Sequence, residues 1–96
     1  MTFEKMELAY MSSMFSIALF SEEMELDDTF RNIEKKILYA NMSSCESVTF
    51  EFSDQEMNCL DKVTKIAMKS ERKEWIEHYG SIREKVEEEL KERGKF

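Results

Sequence analysis

The chain has no proline, and its 96 residues include only two glycines, two cysteines and one histidine. Without proline, and rich in Glu, Lys and Met, it is free to build helices joined by short connections. The two glycines lie 14 positions apart, which excludes a Gly-rich phosphate loop. Cys45 and Cys59 are also 14 apart, and with His78 they lack the spacing of a zinc site. No metal and no cofactor is expected. The longest uncharged run covers 14 residues, 8–21, and contains four serines, too short and too polar to span a bilayer. Glu4 and Glu7 occupy the region that a secretory leader would make positive. A reduced, cytoplasmic compartment with both thiols free is the expectation.

Basic residues are also in short supply. Lys and Arg total 14 against 21 Asp and Glu, a net charge of −7. Residues 1–52 carry 10 acidic and 4 basic side chains, whereas residues 53–96 carry 11 and 10. The negative excess therefore belongs to the first half. Direct nucleic-acid binding needs a basic patch against phosphates and is disfavoured. A protein partner with a basic surface fits better.

Residues 47–67 are the most legible stretch. Val48, Phe50 and Phe52 alternate with Thr49 and Glu51, the period of a half-buried strand over 47–52. Ser53 followed by Glu56 has the spacing of a capping box. The period then changes to that of a helix, with Met57, Leu60, Val63 and Ala67 on one face.

The remaining elements are placed around that junction. Residues 3–24 read as a first helix with Phe3, Met6, Tyr10, Ser13 or Met14, Ile17, Phe20 and Met24 on its face. Residues 14–20 are apolar almost all round, which implies contact on more than one side, and the same residues also admit a strand reading. Glu22, Glu23, Glu25, Asp27 and Asp28 mark a turn, since like charges at helical spacing repel. Asp27 or Asp28 can cap a second helix bearing Phe30, Ile33 and Ile37, joined by Leu38 or Ala40. Residues 41–47 read as a loop. Beyond Ala67, Trp75, Tyr79, Ile82, Val86 and Leu90 continue a helical face; Ser70, or Gly80 with Ser81, could divide it. Glu87 with Lys91 and Glu89 with Arg93 stand at i,i+4, and Gly94 closes the segment.

The expected fold is mainly α: one domain, a small bundle of three to four helices, with one short central strand leading into a capped helix. Its core is Phe30, Ile33, Ile37, Phe50, Phe52, Leu60, Val63, Trp75 and Ile82. The strand needs a partner for its backbone groups. Residues 14–20, the same strand of a second copy across a two-fold axis, or a partner's sheet could each supply one; otherwise the segment is irregular and extended. A chain this short, with 42% hydrophobic residues, leaves apolar surface exposed unless it associates. A homodimer is expected, with Phe15, Phe20, Val48, Phe50 and Phe52 as interface candidates.

No catalytic residues are assigned. A Cys–His pair is formally available, but Cys59 sits beside an apolar helical face and reads as a packing residue. Nothing near Cys45 in sequence lowers its pKa. His78 reads as a partly exposed helix residue. The functional expectation is a non-enzymatic, acidic protein-binding inhibitor or modulator of a basic, nucleic-acid-processing protein. This physical profile would suit counter-defence by a phage or mobile element. Glu22, Glu23, Glu25, Asp27 and Asp28 would form its partner-binding ridge; the plainer alternative is a solvated helix end. The second expectation is a small oligomeric ligand-binding or sequestering protein, with a pocket between subunits lined by Tyr10, Tyr39, Tyr79, His78 and nearby lysines.

Overall fold

The computed structural model describes residues 1–69 and 73–94, with backbone alone for 73–76. The order of elements is β1 (Thr2–Glu4), α1 (Lys5–Leu19), α2 (Asp28–Met42), β2 (Ser47–Thr49), α3 (Asp54–Met68) and α4 (Lys73–Glu92). Four helices and a two-stranded antiparallel sheet form a small mainly-α bundle.

The partner of the expected strand is β1, a segment of three residues at the start of the chain. Thr2 faces Thr49, Phe3 faces Val48 and Glu4 faces Ser47. Flanking amides extend the ladder: Phe50 N–H donates to Met1 O and Lys5 N–H to Glu46 O, both at 2.8 Å. Residues 14–20, the intramolecular partner considered from sequence, belong to α1. The strand is also shorter than 47–52. Beyond Thr49 the chain stays extended and drives Phe50 and Phe52 inward, 8% and 5% exposed, with their rings stacked 5.2 Å apart.

Helix α1 is shorter than the expected 3–24: it begins at Lys5 and stops at Leu19, five residues short of Met24. Its buried residues are Leu8, Met11, Met14, Phe15 and Ala18. The expected face through Met6, Tyr10 and Ile17 is rotated from this by about one residue, some 100°. Met6 is 66% exposed and Phe20 87%. The cause is the near-uniform apolarity of α1, which leaves its phase to tertiary packing. α1 packs against α2, α3 and α4, so contact on more than one side is observed.

Asp27 Oδ1 accepts from Phe30 N–H at 3.0 Å and caps α2. Phe30, Ile33, Ile37 and Ala40 are buried as their spacing predicts, whereas Leu38 faces solvent. Asn41, expected in a loop, stays helical because its side chain has work elsewhere: its amide donates to Leu8 O at 3.0 Å and Ser12 Oγ at 2.7 Å. At α3 both halves of the predicted capping box form, Ser53 N–H to Glu56 Oε1 at 3.0 Å and Glu56 N–H to Ser53 Oγ at 3.1 Å.

Helix α4 runs through Gly80 and Ser81 without a break. The Ser81 hydroxyl lies 3.0 Å from Glu7 Oε2 and 3.2 Å from His78 O, so it serves a tertiary contact in place of a cap. Tyr79, Ile82, Val86 and Leu90 are buried, and Gly94, at φ 70°, terminates the segment. The expected cap Ser70 and the side chain of the core position Trp75 lie outside what is described. Arg83, with its side chain only 11% exposed, pins α4 to α3 through Asp61 and Thr64 Oγ1 and bonds Glu87 on its own helix at 3.0 Å. Arg93 joins Glu89 at 3.0 Å, Asp54 at 3.1 Å and Phe52 O at 2.7 Å, tying the end of α4 to the segment before α3.

Candidate functional site

The connection between α1 and α2 collects the five carboxylates singled out from sequence. α1 ends in a tight turn, with Ser21 N–H donating to Ala18 O at 3.0 Å and Glu23 N–H to Ser21 Oγ at 3.2 Å. Residues 22–28 then cross to the Asp27 cap. Glu22, Glu23, Glu25, Asp27 and Asp28 are all exposed. Of these, Glu23 alone is in an ion pair among the described residues, with Lys69 at 3.3 Å. Its partners are 59% and 69% exposed at the side chain, so the pair contributes little. Asp27 turns one oxygen to its cap and leaves the other to solvent.

Apolar side chains are interleaved with this charge. Phe20 is 87% exposed, Leu26 41% and Leu19 37%, while Met24 packs partly against the core. Aromatic and aliphatic anchors rimmed by charge are the usual anatomy of a protein-docking epitope. Between the connection and α3 lies an open groove of about 290 Å³, lined by Glu25, Asp27, Thr29, Asn58, Cys59 and Lys62 among others. Burial, reinforced by the Asp27 carboxylate, pushes the Cys59 thiol up to about 11. It is therefore protonated near neutrality and is a poor nucleophile. Cys45 is exposed in the segment after α2.

Of the interface candidates, the structure places Phe15, Phe50 and Phe52 in the chain's own core, at 3%, 8% and 5% exposure. Val48 is half-buried in the sheet, and Phe20 remains at the surface, beside the carboxylates. Of the tyrosines expected around a ligand pocket, Tyr79 is buried and meets Tyr10 edge to face, their ring centres 6.3 Å apart, whereas Tyr39 is exposed on α2. Tyr10 and His78 come together, their rings parallel within 6° and 4.2 Å apart.

That ring pair edges a second groove of about 270 Å³, with Glu4, Met6, Glu7, Ser81 and Lys85. Burial works against ionisation of Glu7. The Glu4 amide, the Lys85 ammonium at 2.6 Å and the Ser81 hydroxyl together outweigh it and hold its pKa below the ordinary value. Its carboxylate is already engaged by these groups, which makes it a strut between α1 and α4 more than a reactive acid. Sequence reasoning missed this pairing, since Glu7 and Lys85 are 78 positions apart and no local spacing announces them.

Among the described residues no three His, Cys, Asp or Glu side chains converge as metal donors, and no helix is long and apolar enough to cross a membrane. No family model matches the chain, and no curated protein or solved structure resembles it at a significant level.

Proposed function

We propose that this chain is a non-enzymatic docking protein, an acidic inhibitor or modulator of a protein with a basic, nucleic-acid-binding surface. One observation carries the reading: the α1–α2 connection presents five exposed carboxylates next to an 87% exposed phenylalanine in the chain, with only Glu23 held in an ion pair among the described residues. Carboxylates spaced along a ridge can occupy a groove built for phosphates, with Leu26 within the run and Phe20 at its start as apolar anchors. The net charge of −7, concentrated in the first half, would steer the encounter. Such a compact acidic binder has the properties that counter-defence by a phage or mobile element would require.

The test begins with capture of partners by the full chain and measures the affinity of any captured protein at about 50 mM and about 500 mM salt. A variant with Glu22, Glu23, Glu25 and Asp28 changed to Lys and Asp27 to Asn, which keeps the cap, should bind at least tenfold more weakly with a flattened salt dependence. Unchanged affinity and unchanged salt dependence would overturn the proposal.

The stacked Tyr10–His78 pair at an open groove favours one second reading, a protein that sequesters a small planar ligand. A ligand-dependent rise in melting temperature that Tyr10→Ala abolishes would support it. A broad screen with no shift would count against it.

A further inference from the structure

A groove of about 390 Å³ lies between α2 and the start of α3. Its lysine and glutamate nearest α3 are already spent on each other. Lys36 pairs with Glu56 at 2.7 Å and stands 5.6 Å from the centre of the Phe52 ring, while the Ser53 hydroxyl caps α3. Four other lining groups are not spent. Asn32, Lys35 and Tyr39 recur on α2 at spacings of three and four, which sets them on one helix face, and Gln55 lines the groove from α3. Asn32, Lys35 and Gln55 are exposed, and Tyr39 is 68% exposed. None of the four side chains has a hydrogen bond or an ion pair among the described residues. The acids at the start of α3, Glu56 and Asp54, are held by Lys36 and Arg93, so they do not cancel the charge of Lys35.

We propose that this groove binds a single nucleoside monophosphate, with the base stacked on Tyr39, its edge met by Asn32 and Gln55, and the phosphate held by Lys35. Each part of the ligand answers a group that is present. A tyrosine ring stacks on a base of any sequence. Carboxamides carry a donor and an acceptor side by side, the pattern that reads a base edge. A lysine ammonium is a compact charge suited to phosphate. Inorganic phosphate would leave the ring and both amides unused, and a neutral nucleoside would leave Lys35 unused. Size and charge restrict the ligand to one nucleotide. The groove is at the small end of the usual range for ligand sites, about 300–1,000 Å³. A net charge of −7 also opposes a longer polyanion. The site shares no residue with the acidic ridge or with the Tyr10–His78 groove, so it stands apart from both readings above.

NMR titration of the isotope-labelled full chain with adenosine monophosphate, adenosine and inorganic phosphate tests it. The monophosphate should shift the amides of 29–39 and 53–56 and leave those around Tyr10 and His78 in place. It should bind about tenfold or more tighter than adenosine or phosphate. Tyr39→Ala should weaken it at least about fivefold, the low end of what base–aromatic stacking contributes. Lys35→Gln should bring it close to adenosine. Both side chains are exposed, and far-UV circular dichroism checks that each variant is folded. The proposal would be overturned by no shift up to about 10 mM monophosphate, by adenosine or phosphate binding equally well, or by shifts centred elsewhere. Tighter binding of an adenylate oligonucleotide, or indifference to both substitutions, would overturn it too.

Discussion

Replacing Phe3 with alanine tests whether β1 belongs to the fold. Phe3 is fully buried, its ring lies 6.1 Å from that of Phe50, and the Lys85 ammonium sits 5.4 Å above it. Truncation removes a phenyl group from a closed core, a change that typically costs about 3–5 kcal/mol. The site is near the chain start, where relaxation can partly fill the void, so the lower end applies, about 3 kcal/mol. A domain of this size is stable by roughly 5–15 kcal/mol, so the loss is a large fraction of the whole. The melting temperature should fall by about 12–24 °C. Urea titration followed by circular dichroism should show a lower midpoint with an unchanged slope. If Ser47–Thr49 instead paired with a second copy and residues 2–4 hung free, the substitution would cost less than about 1 kcal/mol, as at an exposed site. That result would refute the pairing of β1 with β2.

Further outcomes follow from the ion pairs and the thiols. Arg83→Met keeps the stem but removes the donor to Asp61 and to Thr64 Oγ1; because Asp61 remains 22% exposed and still reaches Lys65 at 3.1 Å, and the Thr64 hydroxyl still donates to Asp61 O at 2.9 Å, a loss of about 2–3 kcal/mol is expected, below the full cost of a broken buried pair. A double-mutant cycle with Asp61→Asn should show coupling of at least about 1 kcal/mol, and simple additivity would deny the pair. In native chain at pH 8, iodoacetamide should alkylate Cys59 far more slowly than Cys45, because the Cys59 thiol is pushed up to about 11; equal rates in single-cysteine variants would contradict its burial. Glu7 and Glu56 titrate below the ordinary value of 4.5 in the folded chain. Their stabilisation is therefore complete above that pH and is lost as pH falls through the folded pKa. Glu7→Gln should lower stability at pH 7 and flatten the acid limb of the stability curve. A parallel downward shift at every pH would refute the linkage.

Legibility differed from segment to segment for identifiable reasons. The junction at Ser53 was readable because two local signals agree there, a change of period and a reciprocal cap separated by three residues. α2 and the second half of α4 were readable because their apolar residues occupy one clear stripe. α1 was not, since Met6, Tyr10 and Ile17 offer as good a stripe as Leu8, Met11 and Phe15, and only the three surrounding helices choose between them. β1 was invisible because three residues are too few to display alternation, and Glu4 leads straight into a helix. Gly80 and Ser81 carried a true local stop signal that packing overrode; a mid-helix glycine costs about 1 kcal/mol, which burial of Tyr79 and Ile82 on either side offsets. The acidic ridge needed no tertiary information to find, but the exposure of Phe20 within it did, because the same residue fitted an equally plausible buried face.

The ion pairs divide the charges of this chain into two populations, and salt should act on them with opposite signs. Lys36, Arg83, Lys85 and Arg93 hold Glu56, Asp61, Glu7 and Asp54 in contacts that join one element to another, and Glu7 and Glu56 keep only 13% and 15% side-chain exposure. Pairs this sheltered are screened weakly. The five carboxylates of 22–28 are exposed, close in sequence and mutually repulsive, with one weak counter-ion contact at Lys69. At about 0.15 M salt the screening length is still about 8 Å, long enough for neighbours in this run to repel; at about 1 M it is about 3 Å. Raising salt should therefore hold or raise the melting temperature, by relieving repulsion at the ridge, while it weakens capture of a basic partner at the same ridge. Neutralising the ridge, with Glu22, Glu23 and Glu25 changed to Gln and Asp27 and Asp28 to Asn, should remove both responses together. If the melting temperature instead falls steeply with salt, the interhelical pairs are more exposed to solvent than their burial implies, and charge is being spent on holding the bundle together and not on meeting a partner.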